Sequence, residues 1–123
     1  KKVMEGFHIE EFRKWGTNKK FNIFYNAPTV VLAMYDEKGL TPVQDISAAT
    51  QNMLLMAESL GVGACWNGMI SIGFGDEGMS KKYAEKLNLP EGHRVNHAVI
   101  LGYAKTEILR GPERKENKVT FIR

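Results

Sequence analysis

The sequence has one cysteine among its 123 residues, and this scarcity excludes several classes of protein. A lone Cys65 cannot form an internal disulfide or a cysteine-rich metal site, and such sparing use of cysteine fits a reducing, cytoplasmic location. No apolar run approaches the roughly 20 residues that span a bilayer, and the first residues show no signal-peptide pattern. There is also no repeat, low-complexity tract or linker. We therefore expect a single domain, residues 1–123, outside the membrane.

Net charge is also small, at a formal +3, and its position says more than its size. Acidic and basic residues cancel over residues 1–104, so the whole excess lies in residues 105–123. A tail with Arg110, Arg114 and Lys115 could contact a phosphate group, or could simply be solvated. An excess this small, without aromatic or motif support, predicts no nucleic-acid binding.

The clearest helix signal covers residues 42–60. Its start and stop signals are an N-cap threonine, a first-turn proline, a capping-box glutamine and a terminal glycine, namely Thr41, Pro42, Gln44 and Gly61. Apolar residues cover most of its circumference, so we expect burial nearly all round, as a central helix, a subunit-interface helix or both. The amides of Gln51 and Asn52 would then need partners, either neighbouring backbone or a ligand.

The flanking segments predict a mixed α and β domain. Val3, Phe7, Phe12 and Trp15 can share one side of an amphipathic helix. The other predicted elements are a strand at 29–35 that is buried on both faces, a short strand at 63–66, a flexible glycine-rich segment at 71–78, a helix at 81–87 capped by Ser80, a strand at 96–103 and a final edge strand at 119–122.

The segment Gly61–Gly68 is the most informative part of the sequence. A strand of small residues opens here into a glycine-flanked turn that carries Cys65 and Trp66. Glycines in such a place let the backbone approach something flat or bulky, either another part of the protein or a cofactor ring. Cys65 has no histidine beside it in sequence, so we interpret it as a small core residue rather than a nucleophile.

Other chemistry has little support in the sequence. The three histidines, His8, His93 and His97, are scattered. The spacing of His93 and His97 would suit a metal on a helix, but Pro90 and Gly92 argue against a helix there. Neither a P-loop nor a Rossmann fingerprint is present. We therefore expect no catalytic side chain and no metal site.

Together, these pieces resemble the FMN-dependent nitroreductase family from about residue 26 to the end. Each piece is short, but their common order and spacing are specific. The matching residues are Asn26-Ala27-Pro28, Asp45, Ala49, Gln51-Asn52, Leu54-Leu55, Ala57, Leu60-Gly61-Val62-Gly63, Cys65-Trp66-Asn67-Gly68, Leu89-Pro90-Glu91-Gly92, Leu101-Gly102-Tyr103 and Arg114-Lys115.

The resemblance implies an α+β fold with a central, mostly antiparallel sheet flanked by helices. It also implies a homodimer with FMN at the subunit interface, where the long apolar helix would lie. NAD(P)H would reduce the FMN, which would then reduce nitroaromatics, quinones or similar small-molecule acceptors in a ping-pong reaction. The alternative is a non-catalytic flavin-binding module, or an inactive fragment of such an enzyme.

The resemblance also implies the cofactor-binding residues, which are Cys65, Trp66, Asn67, Gly68, Arg114 and Lys115. The first four would lie along one face of the flavin, with a backbone N–H of the Asn67–Gly68 turn directed at N5. Arg114 would bind the FMN phosphate, with Lys115 and Arg110 near it. The family's arginine-rich N-terminal segment has no counterpart here. We therefore expect an N-terminally incomplete domain that holds one wall of the site.

Overall fold

The computed structural model describes residues 10–75, 77–106, 111, 113 and 120–122, and only the backbone of residues 11, 12 and 79. Helices and strands are both present, which confirms the expected α+β content. In chain order, the described elements are α1 (Glu10–Thr17), β1 (Thr29–Asp36), α2 (Pro42–Ser59), β2 (Gly63–Asn67), α3 (Ile70–Phe74), α4 (Glu77–Leu87) and β3 (His93–Gly102). No helix in this part of the chain is long and apolar enough to cross a membrane.

The three described strands form one antiparallel sheet in the order β1–β3–β2. β3 is the central strand, and it supplies most of the buried residues of the sheet, namely Val95, His97, Ala98, Val99 and Ile100. β1 and β2 are edge strands. The prediction that the strand beginning at Thr29 is buried on both faces is therefore wrong for this chain, since Thr29 and Val30 are exposed.

A β-bulge in the pairing of β1 with β3 decides which side chains share a face. Ala33 pairs with His97, whereas Met34 pairs with Val95, so Asn96 is an extra residue in β3. Side chains alternate along a strand, and the extra residue shifts that alternation by one. Val95 and His97 therefore lie on opposite faces, although they are two residues apart.

The two faces of the sheet are covered by different helices. On one face, Ile70 of α3 packs with Val95 and Ala98, and the partly buried side chains around this cluster are Phe24, Leu32, Met34, Phe74 and Leu89. On the other face, α2 packs against all three strands. The buried residues of α2 are Thr50 and Ala57.

The C-terminal end of α2 matches the predicted stop signal. Gly61 has a φ of 67°, in the left-handed region that favours glycine. The N–H of Gly61 donates to the Glu58 carbonyl at 3.0 Å, and the N–H of Val62 donates to the Ala57 carbonyl at 2.9 Å. This pair of bonds is a Schellman motif, which satisfies carbonyls that the helix leaves open.

The N-terminal end of α2 corrects the sequence expectation. Pro42 occupies the first turn, as predicted, but Thr41 forms no side-chain capping bond, so the predicted capping box with Gln44 is wrong. The Thr41 hydroxyl instead donates to Asp45 Oδ1 at 3.0 Å. An ionised carboxylate is a strong acceptor, and it holds the hydroxyl that would otherwise cap the helix.

Within this chain α2 is buried on one side only, so of the expected alternatives a helix buried nearly all round by its own chain is not observed among the described residues, and burial at a subunit interface stays a prediction. Leu55 and Met56 are each 60% exposed, and Leu60 after the helix is 68% exposed. Gln51 and Asn52 are exposed as well, so neither amide needs an internal partner. The reason is that the described residues cover α2 on one side only, where it meets the sheet.

Several element boundaries differ from the predictions. Residues 71–74 are helical in α3 and residues 77–78 in α4, and Ser80 lies inside α4 instead of capping it. β3 begins at His93 rather than at residue 96. Residues 120–122 lie outside any strand, and the rest of the predicted edge strand lies outside the described residues.

Candidate functional site

The candidate site is the wall segment, residues 65–68, where β2 ends and the following turn begins. Cys65, Trp66 and Gly68 are exposed, whereas Asn67 is buried. β2 pairs with β3 on one side, and no described strand pairs with its other side. The wall segment therefore leaves one edge of β2 and the side chains of Cys65 and Trp66 accessible to a ligand or a second subunit.

The glycines around the wall segment have different physical causes. Gly61 is required by its positive φ. At Gly63, a Cβ would lie 2.9 Å from the Gly102 carbonyl oxygen, so close packing of β2 on β3 requires a glycine. At Gly68, a Cβ would meet no described atom within 4 Å, and no positive φ is required. The described chain thus explains Gly61 and Gly63 but leaves open space over Gly68, which fits a flat ring approaching from outside.

The side chain of Asn67 anchors the turn from within. Asn67 is only 3% exposed. Its Nδ2 donates to the carbonyl of Ile23 in the segment before β1, and its Oδ1 accepts from the Met69 N–H at 3.0 Å. Because both ends of the amide have partners inside the protein, only the backbone of Asn67 is left to contact a cofactor.

The carbonyl of Gly68 is fixed in the same way. It accepts from the Ser71 N–H at 3.1 Å and from the Ser71 hydroxyl at 2.7 Å. The turn is therefore fixed by two sets of hydrogen bonds, one between Met69 and the Asn67 side chain and one between Ser71 and the Gly68 carbonyl. A turn fixed like this is preorganised for a ligand, since little backbone freedom is left to lose on binding.

Trp66 rests on a buried histidine. The ring centroids of Trp66 and His97 are 4.2 Å apart with an interplanar angle of 26°. His97 Nε2 lies 2.7 Å from Thr50 Oγ1, and His97 Nδ1 has no hydrogen-bond partner among the described residues. Burial lowers the pKa of His97 below its usual value, so the ring is neutral at neutral pH.

Sequence reasoning missed the pair formed by His97 and Thr50. It treated His97 only as a strand histidine and selected the amides of Gln51 and Asn52 as the polar groups of α2. A usable signal was present, because His97 directly precedes the apolar residues Ala98–Leu101. A polar side chain in a buried strand needs a partner, and that requirement predicts a polar residue on the covering helix.

The structure also corrects the interpretation of Cys65. Its side chain is exposed and does not pack in the core, and its Sγ lies 3.6 Å from the Trp66 carbonyl oxygen. β2 is an edge strand, which is why a small side chain there is left uncovered. No group of three or more His, Cys, Asp or Glu side chains in the described part of the chain could hold a metal ion.

The phosphate-binding residues suggested by the sequence cannot be placed. Arg114, Lys115 and Arg110 lie outside the described residues. The structure therefore brings together Cys65, Trp66, Asn67 and Gly68, and the phosphate contact of Arg114 stays a prediction.

Known proteins are similar to this chain in sequence and in fold. Residues 4–103 match the sequence profile of the Nitroreductase family. A protein of Archaeoglobus fulgidus named NADH dehydrogenase/NAD(P)H nitroreductase is 45% identical over 65 residues, which are 53% of this chain and 35% of that protein.

Solved structures extend the likeness to the whole fold. The chain resembles a nitroreductase with bound FMN from Bacteroides fragilis, with a TM-score of 0.83, 28% identity, and coverage of 99% of this chain and 65% of that chain. An FMN-dependent nitroreductase from Clostridium difficile gives a TM-score of 0.70 at 28% identity, covering 85% of this chain and 63% of that chain. The chain thus spans less than two thirds of the length of these relatives.

Proposed function

Because the chain belongs to the nitroreductase family, we propose that it forms part of an FMN-dependent oxidoreductase whose flavin lies against the wall segment. The observation that carries this proposal is the open space over Gly68 in a turn that is otherwise fixed on both sides. The exposed Trp66 beside it offers a flat apolar surface of the kind that flavin rings contact.

The relatives support the cofactor and the electron donor. The structure from Bacteroides fragilis contains FMN, and the name of the Archaeoglobus fulgidus protein specifies NADH and NAD(P)H. We propose NAD(P)H as donor and a nitroaromatic, quinone or similar small molecule as acceptor, each used in turn at one site. When bound, FMN supplies the redox chemistry, and the protein binds and orients it.

The residues of this chain then have defined tasks. The edge of β2 at Cys65 and Trp66 lies along one side of the ring, with the two side chains on opposite faces of the sheet. The backbone of the Asn67–Gly68 turn offers N–H groups toward the ring edge, and Asn67 holds that backbone in place through its internal bonds. Arg114, with Lys115 and Arg110, binds the phosphate through charge-assisted hydrogen bonds. No side chain of the wall segment is needed as an acid or a base.

We also propose a cytoplasmic homodimer. Leu55, Met56 and Leu60 leave apolar surface exposed along and just beyond α2, and such surface is typical of an interface. A second subunit on this side of α2 would cover it. The partner, together with any further residues of the natural polypeptide, would supply the second wall of the flavin site.

A non-catalytic flavin-binding module is the second candidate. It is favoured by one observation, namely that the wall segment holds no carboxylate, histidine, lysine or arginine. Steady-state oxidation of NAD(P)H with a quinone acceptor separates the two functions. A protein that binds FMN but shows no turnover would favour the module.

The test of the proposed flavin contact is a pair of matched valine substitutions. Gly68→Val places a branched side chain in the space assigned to the ring, whereas Gly73→Val places it in equally open space on α3. We expect Gly68→Val to weaken FMN binding about tenfold or more, equivalent to at least ~1.4 kcal/mol, and Gly73→Val to leave it unchanged. FMN binding is measured by absorption and ultrafiltration on the complete natural polypeptide. Equal affinity in both variants would refute the contact.

A further inference from the structure

A buried polar pair below the wall segment has no task in the proposed function. His97 is 1% exposed and Thr50 is 0% exposed. The 2.7 Å contact between His97 Nε2 and Thr50 Oγ1 joins the central strand to α2. Trp66 of the wall segment stacks on the same His97 ring. Three elements, α2, β3 and β2, therefore meet at one imidazole.

The sheet geometry explains why the two rings meet. Trp66 pairs with Val99 across β2 and β3, and Val99 lies two residues from His97 on β3. Trp66 and His97 are therefore diagonal neighbours on the face of the sheet that α2 covers, a separation that aromatic side chains can bridge. Thr50 approaches His97 from the helix side of this face.

Packing alone does not account for a histidine at this position. A buried polar atom without a partner lowers stability, and His97 Nδ1 has no partner among the described residues. A phenylalanine would fill similar space without that penalty. The imidazole offers something a phenylalanine lacks, because its bond to Thr50 fixes the rotation of the ring while the ring face stays available to Trp66.

We propose that His97 is a positioning residue for the flavin site: held by Thr50, its ring supports the indole of Trp66 from within the sheet and sets the surface that Trp66 presents. The role toward flavin rests on the proposed function. The support of Trp66 by His97 does not, because it is a contact within the protein and can be measured without FMN.

The first measurement follows Trp66 in the protein without flavin. The sequence has two tryptophans, so the replacement Trp15→Phe makes Trp66 the sole tryptophan reporter. In this background, we expect His97→Ala to weaken the near-ultraviolet circular dichroism of Trp66 and to shift its emission, since the indole loses its support. His97→Phe keeps a ring under the indole but loses the bond to Thr50, so we expect it to weaken the signal less than His97→Ala and about as much as a loss of the Thr50 hydroxyl.

The hydrogen bond is tested by a second matched pair. Thr50→Val removes the hydroxyl but keeps the side-chain shape, whereas Thr50→Ser keeps the hydroxyl. We expect Thr50→Val to weaken the Trp66 signal and Thr50→Ser to preserve it. These variants also cover the case in which His97→Ala fails to fold, because His97→Phe and Thr50→Val are close to the native shape.

The second measurement is the FMN affinity of the same variants, in the complete natural polypeptide, by ultrafiltration. An aromatic contact of this kind corresponds to about a three- to tenfold change in affinity. We therefore expect His97→Ala to raise the Kd for FMN about three- to tenfold, His97→Phe and Thr50→Val to raise it less, and Thr50→Ser to stay near the parent.

The outcomes separate this inference from the proposed function. An unchanged Trp66 spectrum in folded His97→Ala, or an altered spectrum with unchanged FMN affinity, would overturn the positioning role alone. Equal defects in Thr50→Ser and Thr50→Val would overturn the role of the hydrogen bond. A parent protein that binds no FMN would overturn the proposed function, and with it the role toward flavin.

Discussion

Within the wall segment, one residue fixes the turn, and the residue beside it leaves the space that the proposed flavin contact needs. Asn67 turns inward and joins the end of β2 to Ile23 and Met69, whereas Gly68 beside it faces open space. A side chain that fixes a turn leaves the adjacent backbone preorganised, which lowers the entropic cost of ligand binding. The proposed flavin site would therefore depend on Asn67 through the turn that it fixes, without a contact between its amide and the cofactor.

Arg114 provides the clearest prediction for phosphate binding. Charge-assisted hydrogen bonds contribute about 1.5–3 kcal/mol, so Arg114→Ala should weaken FMN binding roughly tenfold to a hundredfold. The protein should still fold, as judged by far-ultraviolet circular dichroism. Lys81→Ala removes one positive charge from the exposed surface of α4 and serves as the matched control. Unchanged FMN affinity in Arg114→Ala would contradict the phosphate contact.

His97 makes stability depend on pH in a defined direction. Burial lowers its pKa in the folded state below the usual 6.5, so between these values the unfolded chain binds more protons. The free energy of unfolding therefore falls as the pH drops below about 6.5, by at most ~1.4 kcal/mol per pH unit. Urea unfolding between pH 7.5 and 5 measures this slope.

Matched variants assign that slope to His97. His97→Phe should flatten it, whereas His93→Gln, at the partly exposed start of β3, should keep it. Equal slopes in the parent and in His97→Phe would refute the assignment. Other ionisable groups on the elements packed around His97 are partly or fully exposed, and these are Tyr35, Asp36, Asp45, Glu58, Cys65, His93 and Arg94.

The sequence was informative at the residue scale where the cause is local. Gly61 and Pro42 act through their own backbone geometry, so their positions at the ends of α2 could be predicted. For Asn67 and His97, the sequence could indicate at most that a buried polar side chain needs a partner, and it could not identify the partners, which lie 44 and 47 residues away in the chain. The residue pattern within one helix or strand does not indicate a hydrogen bond to a residue so far away in the chain.

Among the elements, α2 shows how local signals compete. The apolar periodicity and the terminal glycine gave its bounds, but the capping box failed because Asp45 binds the Thr41 hydroxyl. Its apolar surface predicted burial by the same chain, by a second subunit or by both, and within the single chain Leu55 and Met56 are exposed. Composition specifies how much surface a helix needs to bury, but it does not specify whether the same chain provides the cover.

Replacing glycine by alanine should change the stability of the protein in opposite directions at two positions, Gly61 at the Schellman end of α2 and Gly73 inside α3. A Cβ at Gly61 or at Gly73 would meet no described atom within 4 Å, so crowding plays no part at either position. Gly61 has a φ of 67°, and alanine there should cost about 1–2 kcal/mol. Gly73 lies inside α3, where alanine should stabilise by roughly 0.5–1 kcal/mol.

Thermal and urea unfolding of the two alanine variants measure both effects. A gain in stability for Gly61→Ala would show that the end of α2 does not depend on the left-handed glycine. A loss for Gly73→Ala would show that α3 is not helical at that position in solution.

For the whole molecule, the exposed surface along α2 leads to a prediction about assembly. Leu55 is 60% exposed, so a lysine there is tolerated in an isolated subunit but opposes burial in a dimer. We expect Leu55→Lys to shift a dimer toward monomer in sedimentation velocity while preserving the far-ultraviolet spectrum. Gln44→Lys adds the same charge at an exposed polar position of α2 and should not change the assembly. A monomeric parent, or an unchanged dimer in Leu55→Lys, would contradict the interface.

The β-bulge in β3 has a consequence for how chains of this kind are aligned. Asn96 is the extra residue of the bulge, and the alternation of side chains between the two faces of the sheet is offset by one residue across it. A chain that lacks Asn96 would have a straight strand with Val95 and His97 on their present faces. In an alignment, a relative with a gap at the position of Asn96 would therefore have a regular strand with the same side chains facing the core. It would not lack a structural element.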